Sequence, residues 1–494
     1  MERENRCLAH CHCNRHNRRD FMKKAAFLTA GLSVLGDLAF SHPSFAGSIP
    51  VIKPFGPASD YVARIKAAFV RRNEEYGMKW PGAVYDGEAA HKNYSEQLVA
   101  TAKELGVSLD LRPVPIYSLD EADAWISECK AESADGIMLV VLDRQQHSWP
   151  TVQKAQESGI PVVAFSPLGT SFTTNTEPIA RKPGCVIYST NDFSQFAWGM
   201  KMLKARARMN RTRCVVIKGT KREVIKLADT GITLQYIPAG TFIDIYNKTP
   251  DSSEILAMAD DYLLHAQSIT SATRQDVING IKSYVVAGKI LATEQADAIS
   301  MDCLGALGNL KVSLPCIAWS RMNDDRIPAA CEADTGAIAA HVIVQYLFDR
   351  PAFQQDPVAD TSDDTIIGAH CSCPTLLNGY RNPPEPFELT HHHGNRDAVP
   401  KTIWKTGQRI TCMDFLPSDD PASSHSRMLI SAGNVVENMS VPPSGGCVVS
   451  VKARFDGGHD VLTFPGFHQL FFYGDYKKQL KEFCQLNGFE AVVV

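Results

Sequence analysis

The sequence predicts an α/β protein: two Rossmann-like α/β domains followed by a mainly β C-terminal domain. Three observations lead there. The chain has 494 residues, enough for about three domains at roughly 150 residues each. From about residue 50, strand-like and helix-like segments alternate, as they do in βαβ units built on a parallel sheet. After about residue 365, short β-like runs between Gly and Pro turns take over. The expected segments are 1–46, an N-terminal address; 47–180, the first α/β domain; 181–364, the second; and 365–494, the β domain with a terminal helix.

The address is read from Asn17-Arg18-Arg19-Asp20-Phe21-Met22-Lys23, which resembles a twin-arginine export signal. A moderately apolar stretch follows, Ala25 to Phe40, and then the small-x-small site Ser44-Phe45-Ala46. The expectation is an exported, periplasmic protein carried by the twin-arginine machinery. Cys7, Cys11 and Cys13, interleaved with His10, His12 and His16, lie upstream of the arginine pair and would leave with the signal. Eleven of the 14 cysteines then remain, without the regular spacing of a disulfide scaffold.

The first domain is read from the strand-like Val107–Ile116, the helical Leu119–Ala131 and the apolar run Gly136–Leu142. The helical Trp149–Ser158 and the strand Pro161–Phe165 complete the series. A run apolar at every position suits a parallel strand covered on both faces. The second domain is read from Cys185–Tyr188, the helical Phe193–Met209, Cys214–Ile217 and further alternation to Asp302. In the third, Arg409–Met413, Arg427–Ser431, Gly446–Arg454 and Val461–Phe464 read as strands, and Tyr476–Asn487 as a closing helix.

Composition narrows the function. Charged residues make up 21% and hydrophobic residues 44%, and the net charge is −4. That balance, with no long basic stripe, argues against a nucleic-acid partner. No apolar run is long enough for a membrane span. There is no Gly-x-Gly-x-x-Gly after the first strand, no phosphate-cradling Gly-x-x-x-x-Gly-Lys-Ser/Thr and no Gly-x-Ser-x-Gly. His391-His392-His393 reads as a solvated polar run.

Chemistry-bearing residues concentrate beyond residue 300. Glu332 and Asp334 precede the apolar helical segment Thr335–Leu347, where acidic groups either cap a helix or form a site. Asp356 stands before Pro357, a common turn pair. His370 ends the apolar run Ile366–His370, and His468 lies in the aromatic-rich Phe464–Asp475. Cys371 and Cys373 are too close in sequence for a usual structural zinc pair. Two carboxylates with histidine suit a hard-to-borderline divalent ion such as Mn²⁺. Periodicity does not say whether they converge.

The stretch Leu314-Pro-Cys-Ile-Ala-Trp-Ser-Arg-Met-Asn-Asp-Asp-Arg-Ile-Pro-Ala-Ala-Cys-Glu-Ala-Asp334, continued through Tyr346-Leu-Phe-Asp-Arg-Pro-Ala-Phe-Gln-Gln-Asp356, resembles the L-fucose isomerase family. That family belongs to the wider fucose/arabinose isomerase superfamily. The resemblance covers most of the chain from about 300 onward. It implies that Glu332, Asp356 and His468 bind a metal, Mn²⁺ above all. Glu332 and Asp356 would also be the acid–base pair, with an acceptor holding the second nitrogen of His468. His370, Asp302 and Trp319 become candidate substrate contacts, with Phe467 as a further apolar surface. The implied activity is aldose–ketose isomerisation of a small sugar through an enediol, in a homo-trimer or hexamer. Residues 378–407 depart from the family pattern, so contacts there are not carried across. The competing expectations are an exported sugar-binding protein, a metal-dependent lyase or epimerase, and a non-catalytic relative.

Overall fold

The computed structural model describes residues 52–73, 78–80, 83–144, 146–307, 312–392, 396–418, 425–439 and 447–494. The twin-arginine stretch, the Cys/His cluster at 7–16 and His393 lie outside them.

The first sheet is parallel and five-stranded. Its order is Ser108–Leu111, Arg64–Val70, Gly136–Val141, Val162–Ser166, Cys185–Ser189. All six residues of Gly136–Val141 are buried, as expected for a central strand with helices on both faces. The sheet runs past the boundary drawn at 180, because Cys185–Ser189 pairs in parallel with Val162–Ser166. The Gly- and Pro-containing stretch between them is a connection within the domain. Helix Phe193–Met209 then packs back on the sheet at Gly199, where a Cβ would stand 2.4 Å from Val163.

The second sheet places Ala329–Cys331, Ala298–Met301, Arg213–Ile217 and Thr233–Ile237 in parallel, with Glu223–Lys226 antiparallel at the edge. Helix Thr335–Phe348 leaves the end of this sheet. Its sequence is apolar around nearly its whole circumference, and twelve of its fourteen residues are buried. Each Ile, Val or Leu buried there contributes roughly 1.5–3 kcal/mol. Its first turn lies so close to the β domain that a Cβ on Gly336 would stand 2.3 Å from the Phe415 carbonyl oxygen.

The C-terminal domain is a closed antiparallel barrel. Pairing runs from Arg409–Leu416 to Gln469–Tyr473, Phe353–Asp360, Thr365–His370, Val449–Phe455, Arg427–Met439 and back to Arg409–Leu416. Closure leaves none of these six strands as a free edge. Phe353–Asp360 belongs to this barrel, so the boundary drawn at 364 cuts through a β-hairpin. Asp356 therefore sits on the barrel rather than in the second α/β domain. Val461–Thr463 is a single 3₁₀ turn capped by the Asp460 side chain, where a strand is expected from sequence. Helix Lys477–Asn487 and strand Glu490–Val493 end the chain.

A smaller three-stranded sheet joins Ser268–Ile269, Phe387–His392 and Arg396–Thr402. None of the eleven cysteines of the described residues forms a disulfide, and all but Cys447 are buried. No helix among the described residues is long and apolar enough to cross a membrane.

Candidate metal centre

Glu332 follows the last residue of strand Ala329–Cys331, so it stands at the carboxyl edge of the second parallel sheet. It and Ala333 both adopt left-handed backbone, with φ of 63° and 53°. Ala333 N donates to Met301 O at 3.0 Å, holding the turn against the neighbouring strand. Asp334 then caps helix Thr335–Phe348 by accepting from Ala337 N at 2.8 Å.

Asp356 arrives from the barrel. Its strand pairs Phe353 with Phe471, Gln354 with Leu470 and Gln355 with Gln469, and extending this register sets position 468 opposite Asp356. His468 has φ 54°, which ends the ladder at that point. His370 ends the adjacent strand, whose register sets Ala369 opposite Asp356. Gln354 ties the two domains together here: its Oε1 accepts from Cys331 N at 2.9 Å, one residue before Glu332.

These elements bring Glu332, Asp356, His370 and His468 together. His468 Nε2 lies 3.3 Å from Glu332 Oε2 and 3.3 Å from Asp356 Oδ1. His370 Nε2 lies 3.8 Å from Glu332 Oε1. Donor atoms of Glu332, His370 and His468 all fall within 4.8 Å of one another. The other nitrogen of His468, Nδ1, donates to Asp334 Oδ2 at 2.9 Å. Asp334 is thus both cap and imidazole partner, a pairing that orients the ring and leaves Nε2 aimed at the two carboxylates.

The fit to a divalent cation rests on polar atoms without protein partners. His468 Nε2, Asp356 Oδ1 and both ring nitrogens of His370 are buried and make no hydrogen bond. Such atoms are costly unless something else satisfies them. The Glu332 carboxylate and two imidazole nitrogens within 4.8 Å of one another, with Asp356 Oδ1 3.3 Å from His468 Nε2, are a donor set that one cation can bridge.

Electrostatics separates the groups. Burial pushes the Asp356 carboxyl up to about 6, against the pull of His468, and the neighbouring Glu332 adds to the rise. The imidazole of His468 holds Glu332 below the usual carboxylate range. Burial would lower His468, but Asp334 and Glu332 outweigh it and raise the imidazole to about 10. Burial lowers His370 to about 4, with His468 as a further cause.

Two of the expected substrate contacts do not join the cluster. Trp319 is fully buried, and its indole N–H donates to Ala330 O at 2.8 Å. It fills the core beneath the sheet and offers no face for a sugar, because the apolar environment of helix Cys316–Asp324 encloses it. Asp302 accepts from Gly305 N at 3.2 Å, capping the short helix Cys303–Leu307. Phe467 is 60% exposed beside His468. His391 and His392 do not form a solvated loop: they lie in strand Phe387–His392, and His391 Nε2 is 3.1 Å from Asp276, a helix-capping residue.

Sequence reasoning passed over three supporting residues. Gln354 has the role given above. Buried Asp414 accepts from Phe467 N at 3.1 Å, with its carboxyl pushed up to about 6 by burial. His341, on helix Thr335–Phe348, is buried, with both ring nitrogens unpartnered and its imidazole lowered to about 3 by burial. Their residue types carry no signal; only the register of strand and helix reveals them.

A second acidic cluster, Asp110, Glu128 and Glu132, surrounds the Lys66 ammonium at 2.9, 2.5 and 2.8 Å. The protein's own cation fills it.

No family model matches the chain, and no curated protein matches it. Among solved structures, it is similar to GanP, a glucose-galactose binding protein from Geobacillus stearothermophilus. The identity is 14%, over 49% of this chain and 78% of that one, with a TM-score of 0.18. An ABC transporter solute-binding protein from Burkholderia multivorans matches at 10% identity over 49% and 80%, with a TM-score of 0.17. The XylFII molecule matches at 11% over 55% and 97%, also at 0.17. Overlaps this weak establish no common fold.

Proposed function

We propose that the protein is a metal-dependent sugar isomerase that interconverts an aldose and a ketose through an enediol. The observation that carries this reading is the convergence of Glu332, Asp356 and His468 from three separate elements, with Asp334 holding the far side of the imidazole. Glu332, Asp356 and His468 would hold a divalent cation, Mn²⁺ by its donor set. Bound there, such an ion supplies Lewis-acid stabilisation of negative charge developing on the substrate oxygens.

The chain's own groups do the rest. Isomerisation takes a proton from one carbon and returns one to its neighbour. Glu332 and Asp356 are the carboxylates positioned for that transfer. Asp334 keeps the His468 ring in one orientation, and His370, neutral and without a protein partner, is placed to hydrogen-bond a sugar hydroxyl. Exposed Phe467 offers an apolar face at the rim. The reading includes export by the twin-arginine machinery to the periplasm, and assembly as a homo-trimer or hexamer.

The test is elemental analysis of the purified protein, with Glu332→Gln and His468→Ala, followed by a screen of aldoses for ketose product. About one divalent ion per chain, lost in both variants, and interconversion of one sugar support the proposal. Sugar binding without interconversion would make the protein an exported sugar-binding protein or non-catalytic relative. No metal after reconstitution with Mn²⁺ would remove the isomerase reading.

A further inference from the structure

The far end of helix Thr335–Phe348 borders a separate cavity of about 540 Å³. At 1.5 Å per residue, this end lies roughly 20 Å from Glu332. Trp198, Tyr346 and Tyr380 contribute aromatic wall, and five cations line the space: Lys201, Lys204, Arg208, Arg350 and Arg381. Only two carboxylates, Glu104 and Asp349, join them.

Asp349 is already engaged, 2.7 Å from Lys201 Nζ. Among the described residues, Lys204, Arg208, Arg350 and Arg381 form no ion pair with any carboxylate. Their protein partners are neutral. Lys204 Nζ donates to Leu105 O at 2.6 Å, Arg208 Nε to Ala58 O at 3.0 Å and Arg350 Nη1 to Tyr473 O at 2.6 Å. The Arg208 guanidinium also lies 4.1 Å from the centre of the Tyr346 ring. Lys204 retains two further N–H donors after its one hydrogen bond. Burial and the neighbouring Arg208 lower its ammonium, against a smaller pull from Asp349, as expected where like charges outnumber the counter-charge. Asp349 and Asp297 act on Lys204 and Arg208 only through space, without ion-pair contact.

We propose that this cavity binds a small polyanion, a metabolite bearing phosphate or several carboxylate groups. The volume lies within the range of small-molecule sites. Arginine forks and a lysine point charge suit phosphate and carboxylate oxygens alike. The site is independent of the isomerase reading and shares none of its residues.

Isothermal titration of the full chain in 150 mM KCl tests it, with tripolyphosphate and citrate as separate probes. One of the two binds saturably at one per chain and identifies the anion class. Lys204→Met and the exposed Arg381→Ala each weaken binding about tenfold. Glu332→Gln leaves it unchanged, which separates this cavity from the candidate metal centre. Lys478→Ala, on another surface, also leaves it unchanged. No saturable binding of either probe up to 1 mM would overturn the proposal. So would equal affinity in wild type and both cavity variants, or loss in Glu332→Gln. Melting curves of the variants exclude misfolding as the cause of a loss.

Discussion

Asp334 Oδ2 accepts from His468 Nδ1 at 2.9 Å while Asp334 Oδ1 caps helix Thr335–Phe348 at Ala337 N. One carboxylate thus couples the start of a deeply buried helix to the barrel residue that faces Glu332 and Asp356. The two tasks separate by substitution. Asparagine caps about as well as aspartate, but it loses the charge that favours a protonated Nδ1. Asp334→Asn is expected to keep the melting temperature within a few degrees while weakening Mn²⁺ binding about 10- to 100-fold. Calorimetric titration with Mn²⁺ beside a thermal melt reads both. A large stability loss with unchanged metal affinity would make Asp334 a cap only.

The turn that presents Glu332 contains a second left-handed residue, Ala333, at φ 53°. A Cβ in this conformation costs roughly 1–2 kcal/mol, and glycine relieves it at an entropic cost of roughly 0.5–1 kcal/mol. Ala333→Gly should therefore raise stability by about 0.5–1 kcal/mol, read as a shifted urea midpoint at constant slope. A lower midpoint would mean that the Ala333 methyl, which is buried in the core, outweighs the strain.

Much of this centre was legible before any fold was known, and the reason is chemical. Glu332, Asp356 and His468 stand in segments whose residue order resembles a metal-binding pattern, and the structure brings those three together. Gln354 and Asp414 were not legible, because an amide in a strand and an aspartate in an apolar run look the same whether or not they face a site. The domain boundaries failed for a related reason. The Gly- and Pro-containing stretch near 180 looks like a linker and the change to short β-like runs near 364 looks like a domain start, but strand pairing between Val162–Ser166 and Cys185–Ser189, and between Phe353–Asp360 and Thr365–His370, crosses both. Trp319 was misassigned because sequence shows an aromatic near the motif and cannot show that its indole is sealed against Ala330.

His370 separates two roles under the isomerase reading. Its nitrogens are unpartnered, and Nε2 is 3.8 Å from Glu332, farther than either carboxylate lies from His468. If it contacts substrate, His370→Ala lowers turnover by about 10²-fold and changes Mn²⁺ affinity by less than about threefold. A loss of metal affinity comparable to that in His468→Ala would make it a fourth ligand.

Asp324 supplies a pH dependence outside the candidate metal centre. It is partly buried and accepts from Thr375 N, Thr375 Oγ1 and Leu376 N. Burial outweighs these donors and pushes its carboxyl up from 3.8 to about 7. The folded protein therefore holds this proton more tightly than the unfolded chain. The resulting stabilisation is fully present below about pH 4 and is lost as pH rises through about 7. Asparagine fits the same pocket, with Oδ1 facing the backbone donors and Nδ2 donating to Thr375 Oγ1. Asp324→Asn should be near neutral at pH 4 and more stable than wild type by roughly 1–3 kcal/mol at pH 8. Urea midpoints at the two pH values decide it. Parallel shifts at both would show that Asp324 remains ionised throughout and that its three donors, rather than burial, set its charge.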